Sequence, residues 1–501
     1  MFINSLLSRA LLIRQPFHSG VRMSSQGYAA VTPSIIEALI RICGREHVTA
    51  DDAGTLRKYG HDQVPGDKYA HLPEVVVKPQ TAQEVAAIVQ LANRALIPVT
   101  PRAAGSGLSG GAVPIYGGIL LSVERMDRIL DIDVANLMVV VEPGVITNQL
   151  DNALRPHGLF FAGYPMSDEF CFIGGNVAEN AGGGRAIKYG VTGRYIHGLE
   201  MVTPTGDIVQ LGGKRVKDVT GYDLVHLMVG SEGTLGIFTK IFVRLLPRPT
   251  ARVAILALFA QVADAIAVVP RVVTAGRLVP TAVEFMDRFC YGRTVESLKE
   301  SFPTQDIGAA LLLEVDGNRP DVVAAEAEMI EAICCELGAR ATFVARDEPG
   351  IERFWKIRKQ IPWVLKRTSP VHSIEDIVVP IAAIPPLVAA LDRIGQAYDT
   401  RIPVFGHAGD GNLHATPMKD PALSDLRWEE KLHDLLKEIY AVTAQLGGTI
   451  SGEHGIGHKR RDYMHLVMEP AQIDMMRRIK QALDPRNILN PGKIFALNEK
   501  A

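Results

Sequence analysis

Two histidines flank a short glycine-rich turn in the C-terminal part of the chain. The stretch HAGDGNLH places His407 and His414 on either side of Asp410-Gly411, a dipeptide that favours a reversal between two strands. Side chains on neighbouring strand ends approach within about 5 Å, so two imidazoles at such positions are close enough to share one metal ion. On these residues alone, a pair of polar surface histidines that bind nothing remains the alternative.

A carboxylate and a third histidine follow further along the chain. In SGEHGIGH, Glu453 and His454 stand between glycines after a short strand-like run. Two histidines and one carboxylate are the usual protein ligands of an open catalytic zinc or similar divalent ion. Because adjacent residues on an extended backbone point in opposite directions, only one of these two is expected to bind the ion directly. The other is then free to act as a base.

Two glycine-rich segments in the N-terminal half predict a phosphate-bearing ligand. PRAAGSGLSGG contains a G-x-G-x-x-G pattern, but the residues after it predict another strand and not the helix that the dinucleotide motif needs. A Rossmann fold is therefore not predicted, although exposed backbone N–H groups still suit a phosphate. FIGGNVAENAGGG adds a second cluster, and two such segments packed together let backbone approach a large, flat ligand. Two irregular loops without a ligand are the alternative.

Length and composition limit the classes to which the chain can belong. At 501 residues and 47% hydrophobic content, it is long enough for two or three domains. A net charge of −2 and 6% aromatic residues argue against a nucleic-acid-binding surface. The cysteines follow no C-x-x-C spacing, which fits buried thiols in a reducing compartment and excludes a cysteine-ligated iron–sulfur cluster within this chain. They are Cys43, Cys171, Cys290, Cys334 and Cys335.

The N-terminal segment and the longest uncharged run give information about where in the cell the protein is located. Residues 1–30 contain three arginines and several serines, and no acidic residue precedes Glu37. This composition is typical of an organellar transit peptide, and equally of a start assigned too early, with Met23 as the real first residue. The uncharged run 103–123 is interrupted by repeated glycines and Pro114, so it predicts loop and strand, and any membrane contact is expected to be peripheral.

The remaining pattern predicts the elements that hold these residues. Helical periodicity at 35–42 and 81–95 surrounds a short buried strand in PEVVVKP, and the composition changes after Pro247-Arg248-Pro249. From about residue 250, a strand–helix–strand order occurs twice, which predicts an α+β region with one antiparallel sheet. A helix and a Pro-Gly loop close the chain.

Six motifs carry a resemblance to a known family. They are PRAAGSGLSGGAVP, YPMSDEFCFIGGNVAENAGG, KDVTGYDLVHLMVGSEGTLGIFT, HAGDGNLH, SGEHGIG and DPRNILNPGKIF. In this order they resemble the FAD-linked oxidases of the vanillyl-alcohol-oxidase superfamily, over about Pro73 to the end of the chain. The flavoprotein subunits of glycolate oxidase are the most similar members, and D-lactate dehydrogenases and D-2-hydroxyglutarate dehydrogenases are near relatives.

The resemblance implies an α+β fold and a set of cofactor-binding residues. It implies a two-lobed PCMH-type FAD-binding domain at 31–249, an antiparallel-sheet cap domain for the substrate at 250–470, and a C-terminal helix and loop at 471–501 that returns to the FAD site. Carried over by motif, the FAD-binding residues are Ala104, Gly105, Ser106, Gly107, Leu108, Ser109, Gly110, Pro165, Asp168, Gly174, Gly175, Asn180, Gly182, Ile237 and Asn490. Family members with covalent FAD carry a histidine near the first glycine loop. None stands between Arg102 and Pro114 here, so non-covalent FAD is expected.

For the chemistry, the resemblance implies one divalent metal ion, zinc or manganese, beside the flavin. His407, His414 and Glu453 would be its ligands and His454 the base, which agrees with the reading of the residues themselves. The implied reaction is oxidation of a 2-hydroxy acid to the 2-oxo acid, with hydride transfer to flavin N5. Arg358, in FWKIRKQIP, is the expected clamp for the substrate carboxylate, with a solvated charge on a helix face as the alternative.

Two departures from the family pattern bear on the substrate. Pro362 and Glu375 stand in stretches where the hydroxyglutarate relatives carry threonine and lysine for the second carboxylate. This favours a short acid, glycolate or D-lactate, with D-2-hydroxyglutarate as the alternative. Two further alternatives are a companion subunit that binds FAD without catalysis, and FAD-dependent group exchange of the alkyl-glycerone-phosphate synthase type.

The fate of the electrons implies partners. Without iron–sulfur ligands or a span, the chain is expected to pass electrons to a flavoprotein-like subunit and an iron–sulfur subunit at the membrane, or to quinone. The expected location is the cytoplasm, at the inner face of the membrane through these partners. The mitochondrial matrix is the alternative if residues 1–26 are a transit peptide.

Overall fold

The N-terminal lobe is a small sheet covered by helices. The computed structural model describes residues 27–66 and 68–496, so the predicted transit segment lies outside the described residues. Strands β2, β4 and β3 are parallel, and β1 joins β2 antiparallel at the edge. The elements are α1 (Pro33–Cys43), β1 (Val48–Thr49), α2 (Ala53–Tyr59), β2 (Val75–Val77), α3 (Ala82–Ala95), β3 (Val99–Arg102) and β4 (Ile119–Ser122).

Local signals in the sequence explain the boundaries of these helices. The hydroxyl of Thr81 accepts a hydrogen bond from the Glu84 N–H and caps α3, as its position before the periodic run predicts. Leu96 ends the helix in the left-handed conformation, with a φ of 56°. The buried face of α3, with Val85, Ile88 and Val89, packs on the valines of β2. The predicted helices and the strand in PEVVVKP are confirmed.

The second lobe is built on a five-stranded antiparallel sheet. Its strand order is β5-β6-β10-β8-β9, and β8 and β9 form the hairpin predicted around Thr205-Gly206-Asp207. The elements are β5 (Ile129–Asp133), β6 (Met138–Val141), α4 (Thr147–Leu154), β7 (Leu159–Phe160), α5 (Ile173–Glu179), α6 (Ala186–Tyr189), β8 (Ile196–Val202), β9 (Ile208–Gly212), α7 (Leu224–Met228), β10 (Ile237–Arg244) and β11 (Leu246–Pro247).

The C-terminal region is built on one seven-stranded sheet in which every neighbouring pair is antiparallel, as predicted. The strand order is β15-β12-β14-β13-β17-β18-β16, with the helices packed on its faces. The elements are β12 (Ala251–Phe259), α8 (Val262–Thr274), β13 (Ala282–Asp287), α9 (Arg288–Leu298), β14 (Ala309–Gly317), α10 (Pro320–Glu336), β15 (Ala339–Ala345), α11 (Glu348–Lys359), α12 (Ile361–Thr368), β16 (Glu375–Val378), α13 (Ile384–Ala397), β17 (Val404–His407), β18 (Asn412–Ala415), α14 (Asp425–Gln445) and α15 (Pro470–Leu483).

Hydrogen bonds between distant loops tie the C-terminal region to the two lobes. The Ser109 carbonyl, in the first glycine loop, accepts the N–H groups of His458 and Lys459. The carboxylate of Glu232 accepts those of Ile456 and Gly457 at 2.8 and 2.6 Å. The loop that carries Glu453 and His454 is therefore held against the glycine-rich segments.

The predicted α+β class is confirmed by this arrangement. In the described ranges, no helix is both long enough and apolar enough to cross a membrane. The five cysteines are free thiols, and all are buried except Cys335, which is exposed.

Candidate active site

A cavity of about 630 Å³ lies where the two lobes meet the seven-stranded sheet. One side, which we call the glycine wall, consists of residues 104–109, Gly174, Gly175 and Gly182. A second part of the lining, which we call the charged wall, belongs to the cluster Glu284, Arg358, His407, His414, Glu453 and His454, all of which except Glu284 line the cavity directly. The cavity therefore joins the motifs that the sequence predicts for a cofactor and for catalysis.

The glycine wall offers backbone to the cavity. Gly105 has a φ of 68°, a left-handed conformation that favours glycine. A Cβ at Gly107 would meet no atom within 4 Å, so the space beside it is open. At Gly182, by contrast, a Cβ would lie 3.3 Å from the Cβ of Glu453, so the two walls are in contact there. This open surface of backbone fits a large, flat ligand that carries a diphosphate.

Most of the predicted FAD-binding residues line this cavity, and four do not. Pro165 and Ile237 lie on its wall with the glycine-loop residues. Asp168 lies beside a separate hollow of about 60 Å³. Gly110 donates its N–H to the buried Asp62 carboxylate at 2.7 Å.

Two of these four residues hold loops together. The Asn180 side chain accepts the Gly193 N–H at 2.8 Å. Asn490 donates to the carbonyls of Gly111 and Glu232 at 2.9 and 2.7 Å. Both amides brace segments of the glycine-rich region, and their roles toward FAD stay predictions.

The histidines of the charged wall converge on one carboxylate oxygen. Glu453 Oε1 lies 3.3 Å from His407 Nε2, 3.3 Å from His414 Nε2 and 3.7 Å from His454 Nε2. The rings of His414 and His454 are stacked, with centroids 5.1 Å apart. His414 Nδ1 and His454 Nδ1 are buried without a hydrogen-bond partner. Imidazole nitrogens around a carboxylate are a donor set that fits a divalent metal ion.

The hairpin reading of HAGDGNLH is confirmed. β17 and β18 pair antiparallel, with Phe405 opposite His414 and His407 opposite Asn412. The two histidines are therefore diagonal neighbours across the hairpin, and their ring centroids are 5.5 Å apart. The turn between the strands brings both imidazoles to the same face of the sheet.

The expectation that Glu453 and His454 point in opposite directions is wrong. It assumed an extended backbone, but residues 452–454 form bends, and no residue from 451 to 456 lies in a strand. Both side chains therefore reach the same cluster, and the side chains of Glu453 and His454 are 12% and 15% exposed. Burial lowers the pKa of His454 to about 4, despite the nearby Asp376 carboxylate, so its imidazole is neutral at pH 7 and is able to accept a proton.

Glu284, which the sequence reasoning missed, joins two parts of the charged wall. It lies on β13 with no exposed surface, and its Oε1 is 2.6 Å from His407 Nδ1. Its Oε2 is 2.6 Å from Arg358 Nε. Burial opposes its ionisation, but His407 and Arg358 outweigh burial and lower its pKa. A carboxylate on the second nitrogen of a histidine fixes the ring's orientation and leaves Nε2 for a ligand.

Arg358, the predicted substrate clamp, is buried, which rules out the alternative of a solvated charge on a helix face. It is 3% exposed near the end of α11, lines the cavity, and lies 4.9 Å from the centre of the Phe405 ring. One edge of its guanidinium already faces Glu284. Whether it binds substrate stays a prediction.

The two departures that bear on the substrate lie in different places. Pro362 lines the cavity. Glu375 does not line it: this residue is fully buried and pairs with Lys459 Nζ at 2.8 Å. Glu375 therefore carries no information about the length of the substrate, and the argument for a short acid rests on Pro362.

Comparison with known protein families and proteins shows which sequences this chain resembles. Residues 73–212 match a FAD binding domain, and residues 248–494 match the C-terminal domain of FAD linked oxidases. The chain is 40% identical to glycolate oxidase subunit GlcD of Bacillus subtilis, over 93% of this chain and 97% of the relative. It is 36% identical to D-lactate dehydrogenase of Anaerostipes hadrus, over 94% and 99%. It is 32% identical to D-2-hydroxyglutarate dehydrogenase of Stutzerimonas stutzeri, over 93% and 99%.

Solved structures show the same fold at low sequence identity. p-Cresol methylhydroxylase with bound substrate superposes with a TM-score of 0.77 at 18% identity, over 93% of this chain and 97% of that chain. 4-Ethylphenol oxidase of Gulosibacter chungangensis superposes with a TM-score of 0.75 at 22% identity, over the same shares. The two matching domains and the relatives at 32–40% identity show that the chain belongs to the FAD-linked oxidases.

Proposed function

We propose that this FAD-linked oxidase is a dehydrogenase that binds FAD non-covalently and oxidises a short 2-hydroxy acid, glycolate or D-lactate, to the 2-oxo acid. The observation that carries the proposal is the convergence of His407, His414 and His454 on Glu453 at the wall of a cavity that the glycine-rich segments also line. The relatives from Bacillus subtilis and Anaerostipes hadrus, a glycolate oxidase subunit and a D-lactate dehydrogenase, support this substrate class.

The residues present fit FAD and one divalent ion. The glycine wall would hold the FAD with its backbone, and His407, His414 and Glu453 would hold the ion. When they are bound, FAD supplies the acceptor for the hydride, and the ion supplies a Lewis acid that lowers the pKa of a hydroxyl.

The chain's own side chains would then perform three tasks. Arg358 would bind the substrate carboxylate through its remaining N–H groups, because a guanidinium matches a carboxylate with paired donors. The neutral imidazole of His454 would take the hydroxyl proton. Glu284 would fix the positions of Arg358 and His407 relative to each other, because it contacts both.

The electrons would leave through a partner. The relative in Bacillus subtilis is by name a subunit, which supports a partner for this chain as well. We propose a flavoprotein-like subunit and an iron–sulfur subunit as its partners, with quinone as another acceptor.

Loss of the visible flavin absorption band under anaerobic conditions tests the function. Protein verified to contain FAD and metal is mixed with glycolate, D-lactate, L-lactate or D-2-hydroxyglutarate. We expect bleaching with glycolate or D-lactate. Bleaching only with D-2-hydroxyglutarate would replace the short acid with a dicarboxylate, and bleaching with none of the acids would overturn the dehydrogenase and favour a companion subunit or group exchange.

A further inference from the structure

One buried carboxylate gathers the backbone of the loop that carries Glu453 and His454. Asp376 lies on β16 with no exposed surface. Its Oδ2 accepts the N–H groups of three consecutive residues, Gly452 at 2.9 Å, Glu453 at 2.9 Å and His454 at 2.8 Å. The hydroxyl of Ser451 donates to the same oxygen at 2.8 Å. Such convergence of successive N–H groups on one anion forces the backbone into a tight, non-extended turn.

The other oxygen of Asp376 ties this turn to the histidine hairpin. Asp376 Oδ1 accepts a hydrogen bond from the Asn412 side chain at 2.8 Å, and Asn412 begins β18. Asp376 is also the cross-strand neighbour of His414. One carboxylate thus spans the two sequence segments, 407–414 and 451–454, whose side chains meet in the cluster.

The Oδ2 atom of Asp376 is already saturated by these donors. An Asp376 oxygen lies within 4.8 Å of the candidate ligand atoms of His414, Glu453 and His454, so distance alone would admit it as a metal ligand. Its nearest approach to the Nδ1 atoms of His414 and His454 is 3.9 Å, too long for a hydrogen bond. With four donors on Oδ2 and one on Oδ1, the hydrogen bonds of Asp376 run to the backbone of residues 452–454 and to the side chains of Ser451 and Asn412.

We propose that Asp376 is the positioning residue of the candidate metal centre: by binding three successive N–H groups, it turns Glu453 and His454 toward the same point. This inference rests on the proposed function, because it takes the cluster to be a metal centre. It also explains why the alternation expected of an extended segment fails here. The turn that replaces the alternation is imposed by an acid about 75 positions earlier, as the separations of 75 to 78 residues between the bonded groups show.

Asp376→Asn tests the proposal, because the amide keeps the shape but offers one oxygen and turns an N–H group toward other N–H donors. On protein loaded with FAD, we expect calorimetric affinity for Mn²⁺ or Zn²⁺ to fall about 10–100-fold, as for other residues that support metal ligands. We expect FAD affinity to stay at the wild-type value, since Asp376 does not line the glycine wall. Hydrogen exchange at the amides of residues 452–454 should become faster.

Asp316→Asn is the matched control for general damage. Asp316 is a buried carboxylate, 6% exposed, that accepts hydrogen bonds from Lys188 and Tyr189, neither of which belongs to the charged wall. We expect this variant to lose thermal stability without losing metal affinity. If Asp376→Asn does not fold, Ser451→Ala removes a single donor from Oδ2 and should produce a smaller loss of metal affinity.

The outcomes separate this inference from the proposed function. Unchanged metal affinity in Asp376→Asn, or an equal loss of metal and FAD affinity in both aspartate variants, would overturn the positioning role. Wild-type protein that binds no divalent ion would overturn the metal centre and the positioning role together. The acid panel reports separately on the dehydrogenase activity.

Discussion

The glycine wall and the charged wall face the same cavity but use different parts of the chain. The glycine wall presents backbone and, at 104–109, Gly174, Gly175 and Gly182, carries no ionisable side chain. The charged wall presents ionisable groups that are 0–15% exposed, each in contact with a group of opposite charge or with another member of the cluster. Backbone recognition depends on local conformation, whereas buried charges depend on residues that are distant in sequence.

This difference determines the free-energy cost of forming each wall and the kind of substitution that disrupts it. Glycine loses more conformational freedom on folding than other residues, a cost spread over many positions. A buried charge costs several kcal/mol unless it is paired, so the loss of one partner leaves the other uncompensated. The charged wall should therefore respond sharply to single isosteric changes, and the glycine wall should respond mainly to added volume.

The largest effect is expected at the candidate base. Replacement His454→Gln keeps a polar side chain but removes the proton acceptor, so the rate of anaerobic flavin reduction should fall about 10²–10⁴-fold. FAD content should be unchanged, because the glycine wall is untouched. His433→Gln, on the exposed side of α14, is the control and should keep the wild-type rate. An equal rate in His454→Gln would remove this residue from the chemistry.

The stability of the protein in acid should show how strongly a buried charge beside the charged wall depends on its partners. The buried Glu375 pairs with Lys459 and Arg460 beside the charged wall. Burial alone would raise the pKa of Glu375, but these cations outweigh it and lower the pKa to about 2. Its contribution to stability is therefore present above the ordinary carboxyl pKa, near 4.5, and is lost as the pH falls toward 2.

Glu375→Gln should remove that contribution. We expect a loss of about 3–5 kcal/mol in the free energy of unfolding near neutral pH, because Lys459 and Arg460 are left buried without the carboxylate. The difference from wild type should shrink as the pH falls from 4.5 toward 2. Urea denaturation at several pH values measures this, and a difference independent of pH would contradict the assigned charge.

Added volume should break the glycine wall without affecting the charged wall. Gly107→Val places a branched side chain in open space, so the protein without FAD should fold normally. Overpacking costs about 1–3 kcal/mol, and each 1.4 kcal/mol is tenfold in affinity, so FAD binding should weaken about 10–100-fold. Metal affinity should stay at the wild-type value. Fluorescence titration with FAD gives the answer, and unaltered binding would place the cofactor elsewhere in the cavity.

The opposite pattern, a loss of metal affinity with FAD affinity kept, is expected at Glu284. Glu284→Gln keeps the shape next to His407 and Arg358 but removes the charge that holds both. We expect divalent-ion affinity to fall about 10–100-fold and FAD affinity to remain. If both affinities fell together, the two walls would not be separable in the way we describe.

The smallest effect should occur outside both walls. Gly292 lies in α9, and a Cβ there would meet no atom within 4 Å. Gly292→Ala should stabilise the protein by about 0.4–1 kcal/mol, because it restricts the unfolded chain, and should leave the flavin reduction rate unchanged. Thermal unfolding with a parallel rate assay checks both, and destabilisation would indicate contacts at this position that the structure does not show.

The contrast between the two walls also explains which parts of the fold and the site can be predicted from the sequence. The histidine hairpin was predicted correctly because Asp410-Gly411 sets the turn locally, and α3 because Thr81 caps it locally. The glycine segments were likewise recognisable as a wall for a flat ligand, since conformation there is a property of the residues themselves.

The remainder of the site was not accessible because it is set at long range. Glu284 and Asp376 stand on strands that are distant in sequence from the histidine hairpin, and only the strand pairing places them against His407 and His414. The single available signal was an acid at an inward position of each strand, where an unpaired charge is costly. The orientation of Glu453 and His454 was mispredicted because a carboxylate on β16, and not their own sequence, shapes their backbone.

The most direct test measures whether reduction of the FAD at the glycine wall depends on the metal ion at the charged wall. Protein loaded with FAD is stripped of metal with EDTA, and the rate of anaerobic flavin bleaching by the active acid is measured before and after Mn²⁺ or Zn²⁺ is restored. We expect bleaching to stop on chelation and to return with the ion, and not to return in His414→Ala. Bleaching that continues at the same rate without metal would contradict the proposal that His407, His414 and Glu453 hold a catalytic ion.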